Sequence, residues 1–330
     1  VAAAAGQLVT LLQVQPDEWV PVETSLPPET GLPMTGDFDG DGVPDLLLFG
    51  WGYSDATVWL GDGIGRFEPT ESVDLPYSGG GRLVVDLDGD GRDEFVTLGT
   101  QRQGLVVHRA DASGRLVPEP SRSGGLVHGG LAAGDLDADG DPDLIASDRE
   151  SDVMIVWMND GTGDFAAARR FEVGDSPAFL NRVVDLDGDG TVEIARIFRD
   201  GALSGTERIE IRRWVDGGLG PRIAAAPCRY FSTPLDLDGD GRPEMLAEGP
   251  ASHSSILRFE DDTLTWDDRR VPHGAAARPL VIDLGDDGTP DLLLRSGNAY
   301  RGPFRDAFEG PRGWAVGRTE LGGPGHESTA

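Results

Sequence analysis

The chain has 330 residues, 58 of them Asp or Glu and 28 basic, for a formal net charge of -30. A surface this acidic lacks the basic stripe that phosphate binding needs, which excludes nucleic acid as a partner. The single cysteine, Cys228, excludes an intramolecular disulfide framework, and no run approaches the roughly 18 apolar residues of a membrane span.

Residues 1–30 open on VAAAAGQ, which has neither the charged n-region nor the long apolar core of a signal peptide. QLVTLLQV and EWVPVET follow and read as two strands. Repeats then start near residues 31, 80, 129, 179, 230 and 277, and each carries the same acidic loop. The copies are DFDGDGVPD from Asp37, DLDGDGRDE from Asp86, DLDADGDPD from Asp135, DLDGDGTVE from Asp185, DLDGDGRPE from Asp236 and DLGDDGTPD from Asp283.

Carboxylates at loop positions one, three, five and nine, a backbone carbonyl at seven and Gly at six for the sharp turn are the ligand pattern of a calcium loop. The first set is Asp37, Asp39, Asp41, the Val43 carbonyl and Asp45; the second is Asp86, Asp88, Asp90, the Arg92 carbonyl and Glu94. Asp135, Asp137, Asp139, the Asp141 carbonyl and Asp143 form the third, and Asp185, Asp187, Asp189, the Thr191 carbonyl and Glu193 the fourth. The fifth is Asp236, Asp238, Asp240, the Arg242 carbonyl and Glu244. The sixth keeps Asp283, Asp287, the Thr289 carbonyl and Asp291 but has Gly285 in place of Asp, so it is expected to be weaker or empty. Position twelve holds Leu48 or Thr97 instead of the bidentate Glu of an EF-hand, and magnesium would want a smaller octahedral shell. Short apolar, often β-branched segments follow each loop and read as buried strands.

Four short strands, A to D, recur in each unit of about 50 residues, with the acidic loop between A and B, as in a β-propeller. In the second repeat they are RLVV, EFVTLG, GLVVHRA and RLVPEP. In the third, DVMIVWM and DFAAARRF supply C and D, and in the fourth RIEIRRWV and PRIAAA do so. Trp59 and Trp157 in strand C read as blade core. His108 in strand C and His326 in the tail carry no expected role, and Cys228 reads as a small buried side chain.

The DxDGDGxxD loops, with LGDGIGRF after Trp59 and MNDGTGDF after Trp157, resemble the FG-GAP/VCBS repeat family, which includes the propeller heads of integrin α chains. The resemblance implies one all-β propeller domain over residues 1–330, usually of seven blades, binding calcium. It does not imply one function, since members include adhesion heads, carbohydrate-binding modules and some polysaccharide lyases. Residues 1–30 then supply strands C and D of a closing blade. Residues 305–330 are its other half, giving seven blades, or a tail, giving six; seven is favoured.

The B–C and D–A loops lie at the blade ends opposite the acidic loops, and they gather aromatic, Arg and His residues: Trp51, Tyr53, Tyr77, Arg102, His128, Arg149, Phe179, Arg199, Arg229, Tyr230, His253 and His273. Aromatic faces stack on sugars and Arg pairs with carboxylates, so this face suits a glycan or a protein ligand. The enzymic alternative is a lyase or isomerase acting on an acidic sugar or small anion, with Arg102 or Arg149 on the substrate carboxylate, His128 or His273 as base and Tyr77 or Tyr230 as acid. Weak calcium sites need millimolar calcium, so a secreted or cell-surface, monomeric protein is expected.

Overall fold

The computed structural model describes residues 2–4, 7–15, 18–25, 33–75, 81–99, 104–122, 129–147, 152–174, 178–200, 206–232, 234, 236, 241–249, 254–271, 280–282, 291–295, 308–309 and 314–317. Among them every regular element is a strand except one short 3-10 turn, Trp51–Tyr53. None forms a helix long and apolar enough to cross a membrane. The chain divides into two compact units, Val1–Asn181 and Arg182–Ala330.

The described strands fall into seven sheets, each built from strands near one another in sequence. In the first repeat, Met34–Gly36, Asp45–Phe49, Asp55–Gly61 and Phe67–Pro69 pair in that order, all antiparallel. Arg82–Val85, Glu94–Gly99, Gly104–Ala110 and Leu116–Pro118 do the same in the second, and Leu131–Gly134, Asp143–Ser147, Val153–Trp157 and Arg169–Glu172 in the third. Strand D of the third repeat starts at Arg169, later than the sequence pattern suggests. Phe165 makes only an isolated bridge to Asn159, because residues 160–163 are spent on the turn.

Ala178–Val184, Glu193–Asp200, Thr206–Val215 and Gly218–Pro227 form the fourth repeat, and Tyr230–Phe231, Met245–Glu248, Ser254–Glu260 and Thr263–Val271 the fifth. In the sixth, Leu280–Ile282 pairs with Asp291–Arg295, which pairs with Trp314–Gly317, and Phe308–Glu309 lies at the edge. At the N-terminus, Gln7–Gln15 and Glu18–Ser25 form the expected hairpin, and Ala2–Ala4 adds a third strand to it.

Alternation along strand B gives each sheet two packing faces. Phe95 packs with Phe38, Leu47, Phe49, Val58 and Leu116 of the first and second repeats. The next residue, Val96, faces the other way and joins Leu98, Val107, Leu144, Ile155 and Trp157 of the second and third. Blades one to three are therefore cemented through both faces of the middle sheet, and the buried aromatic residues set much of that energy.

In the second unit the fourth repeat replaces part of its apolar core with charge. Arg196 on strand B, 1% exposed, bonds the Glu210 carboxylate on strand C, fully buried, directly across the ladder. Arg212 Nε reaches the same oxygen at 2.9 Å. Removing one member of a buried pair strands the other charge away from water. Glu210→Ala is expected to lower the unfolding free energy by about 3 kcal/mol or more, measured by urea titration; a loss of less than about 1 kcal/mol would show that the pair carries no structural weight.

Candidate functional site

Each described acidic loop is shaped by its own backbone. The first carboxylate is the hub. Asp37 Oδ1 accepts the Gly40 N–H and Oδ2 the Gly42 N–H, both at 2.8 Å, and Asp185 holds Gly188 and Gly190 the same way at 2.7 and 2.9 Å. Position three accepts the N–H of position five, and position five that of position seven, as in Asp41 with Val43 at 2.8 Å. The glycine at position six lies at φ of 79, 88, 98, 86 and 87° in the first five loops, the left-handed region that a side chain enters only at a cost. These bonds aim the remaining oxygen lone pairs at a common centre.

Position nine closes the loop from strand B. Asp45 Oδ2 accepts the Phe38 N–H at 2.9 Å, Glu94 Oε2 the Leu87 N–H at 2.7 Å, Asp143 Oδ2 the Leu136 N–H at 3.0 Å and Glu193 Oε2 the Leu186 N–H at 2.9 Å. All four carboxylates are buried. Their second oxygens differ. In Asp45 and Asp143 it accepts a backbone N–H from the last residue of strand C, Gly61, or from just beyond it, Asn159, each at 2.8 Å. In Glu94 and Glu193 it meets an arginine: Arg109 Nη1 and Arg213 Nε, each at 2.7 Å.

Four groups bring one carboxylate oxygen from each residue within 4.8 Å of one another and could hold a metal ion: Asp37, Asp39 and Asp41; Asp86, Asp88 and Asp90; Asp135, Asp137 and Asp143; and Asp185, Asp187 and Glu193. An all-oxygen, pre-folded donor set of this kind fits a hard divalent cation, although in the second and fourth groups Arg109 and Arg213 already bond Asp88 and Asp187. In the fifth loop Asp236 Oδ2 accepts the Gly241 N–H at 2.8 Å, and Glu244 is buried. Asp238, Asp240, Asp283, Gly285, Asp287 and Thr289 lie outside the described residues. Asp291 begins a strand.

The opposite end of the blades is described in part. Tyr77, Arg102, His128, Arg149, His253 and His273 lie outside the described residues, which leaves Tyr230 as the one candidate acid–base residue described. For Trp51, Phe179 and Arg199 only the backbone is described: Trp51 in the 3-10 turn, Phe179 in strand A and Arg199 in strand B. Arg229 is exposed, with Nη1 3.7 Å from Glu248, and Tyr230 is half-buried at the start of strand A. Tyr53 stands out. The residue is 40% exposed, its φ is 60°, and the Arg82 guanidinium stacks 3.8 Å from the ring centroid. Arg82 was not among the residues singled out from sequence, because it opens the apolar strand RLVV. An arginine at the far end of strand A from an acidic loop is the signal that points to it.

Three residues outside the candidate sites, His108, Trp157 and Cys228, are buried. His108 is fully buried, with Nδ1 3.1 Å from the Phe95 carbonyl, and burial holds its pKa below the usual imidazole value. Trp157 is core. Burial pushes the Cys228 thiol up to about 12, which leaves it protonated and a poor nucleophile.

Three overlapping matches to the FG-GAP-like repeat run over residues 37–97, 86–146 and 135–195, each spanning from one acidic loop past the next. Those residues carry FG-GAP-like repeats. No curated protein matches it. Among solved structures, a lectin of Agrocybe aegerita, described as specifically recognising non-reducing terminal N-acetylglucosamine, is similar at a TM-score of 0.55 and 18% identity over 81% of this chain and 74% of that one. Together with the four-stranded antiparallel sheets, that likeness defines the fold as an all-β propeller.

Burial pushes the Asp143 carboxyl up to about 6 against two backbone donors, and Glu94 up to about 7. The folded, metal-free chain therefore holds protons that the unfolded chain releases above the usual carboxylate range. That contribution is complete below about pH 4 and is lost as pH rises through 6 to 7. Asp62, Asp111 and Asp160 are lowered by hydrogen bonds, so they act only at more acidic pH. In chelator the melting temperature is expected to fall between pH 5 and pH 7.5, with a shallower slope in Asp143→Asn; a rise over that interval would contradict the assignment.

Proposed function

We propose that this chain is an exported, calcium-stabilised propeller module that binds a glycan through the B–C and D–A loops. Calcium is favoured over magnesium because the loops offer up to five protein oxygens each, leaving little room for the water shell that magnesium retains. Calcium outside cells, at about millimolar concentration, would keep such loops filled, which supports a secreted or cell-surface location.

The observation that carries the binding surface is the Tyr53–Arg82 pair. It sits at the end of the blades away from the acidic loops, with the Tyr53 backbone in the left-handed region and its N–H bonded to the Gly50 carbonyl at 3.0 Å. A tyrosine is rarely kept at such a φ on an exposed turn unless its position matters. The exposed part of the ring offers an apolar platform for a sugar face, and the guanidinium beside it adds planar donors for a carboxylate or hydroxyl. The glycan recognised by the similar lectin supports the same ligand class.

A glycan array probed with calcium-loaded protein, carrying terminal N-acetylglucosamine and uronate-bearing chains, is expected to retain at least one class. Tyr53→Ala is expected to weaken that binding about tenfold, a loss of about 1.4 kcal/mol. Absence of binding to every glycan, or an unchanged affinity in Tyr53→Ala, would contradict the proposal.

A further inference from the structure

The residue facing position nine from strand C differs between repeats in step with position nine itself. Continuing the register by one residue from Leu46↔Trp59 sets Leu60 opposite Asp45, and from Leu144↔Trp157 it sets Met158 opposite Asp143. The same step from Phe95↔His108 sets Arg109 opposite Glu94, Glu193 pairs directly with Arg213, and the step from Met245↔Leu257 sets Arg258 opposite Glu244. Where position nine is Asp, its neighbour is apolar; where it is Glu, its neighbour is Arg. All five described pairs obey this.

The arginines reach into the loops. Arg109 Nη1 bonds Asp88 Oδ2 at 2.5 Å as well as Glu94 Oε1 at 2.7 Å, so one nitrogen joins positions three and nine. Arg213 joins the same two positions through Nη2 to Asp187 at 2.5 Å and Nε to Glu193 at 2.7 Å. Arg258 Nη1 bonds Glu244. Each of the first two also extends to the C–D turn of the next repeat, Arg109 to the Thr162 carbonyl at 3.4 Å and Arg213 to Asp262 at 2.9 Å. In the first and third repeats the backbone N–H of Gly61 or Asn159 takes that oxygen of position nine instead, and no guanidinium bond to Asp39 or Asp137 occurs among the described residues.

We infer that the loops are of two kinds, calcium sites in the first and third repeats and arginine-clamped loops in the second, fourth and fifth, where the guanidinium takes the place of the ion. The inference rests on the calcium reading proposed above. A guanidinium stays charged at any working pH, so it cannot be titrated out of the way. In the second and fourth loops an entering calcium ion would have to displace it from two of the four carboxylate arms, and in the fifth from Glu244, and then sit a few ångströms from a like charge. Together these weaken the site by about tenfold or more. The sixth loop lacks a position-three carboxylate, with Gly285 there, and does not join the tight class.

The test is calorimetric titration of the chelated full chain with calcium chloride. Two tight sites are expected in the native chain and three in Arg109→Met, with folding of each variant checked by circular dichroism. The reciprocal change, Asp45→Glu with Leu60→Arg, is expected to leave one, and it decides the matter should Arg109→Met not fold. Five equivalent sites in the native chain, or a tight-site number unchanged by the folded variants, would overturn the division into two kinds. Absence of calcium binding at every loop would instead overturn the calcium reading beneath it.

Discussion

The first four repeats each turn on one hydrogen bond: a buried carboxylate at the start of strand B accepts the backbone N–H seven residues earlier, at the second position of the acidic loop. Asp45, Glu94, Asp143 and Glu193 all do this at 2.7 to 3.0 Å. The bond fastens the mouth of the loop to the first residue of a strand whose following residues are buried through Phe49, Gly99, Ser147 and Phe198 respectively. A charge in that position tolerates burial only with such donors, so loop, strand and core form together or not at all. The remaining carboxylates, crowded around the same turn, then need positive charge. Two sources are available, a divalent cation or an arginine from strand C.

The same junction links neighbours. Asp37 N–H donates to the Asp93 carboxylate at 2.8 Å while Asp93 N–H donates to the Asp37 carbonyl at 2.6 Å, which ties the first loop to the second. Asn159 does this between the second and third repeats: its Nδ2 donates to the Leu87 carbonyl at 2.7 Å while its Oδ1 accepts the Gly163 N–H inside its own turn. Loops that look like isolated metal cups are therefore also the seams between blades. Their rigidity leaves the other blade ends free to vary, where a tyrosine can be held in an unfavourable backbone conformation and presented to solvent.

Much of this was legible in the chain itself. EFVTLG and GLVVHRA span the strands seen, because β-branched runs bounded by acidic or glycine turns have few other readings, and Trp59 and Trp157 fall in the core as their alternation requires. Ala2–Ala4 was not legible as a strand, since alanine carries no strand preference and only the pairing with Gln7–Gln15 makes it one. The arginine clamps were hidden for a related reason. Arg109, Arg213 and Arg258 each look like a solvated residue near the end of a strand, and the signal lies in a pairing across the sheet, Glu with Arg and Asp with Leu or Met, that no single segment contains. Arg82 escaped notice likewise, because its partner Tyr53 belongs to the preceding repeat.

The central claim is that divalent cations supply the positive charge needed by those acidic loops that no strand-C arginine reaches. The direct measurement is the melting temperature of the full chain in millimolar calcium and in excess chelator at pH 7.5. A large rise with calcium, reversed by chelator and not matched by the same concentration of magnesium, is the predicted result. A melting temperature that is the same in all three conditions would contradict it.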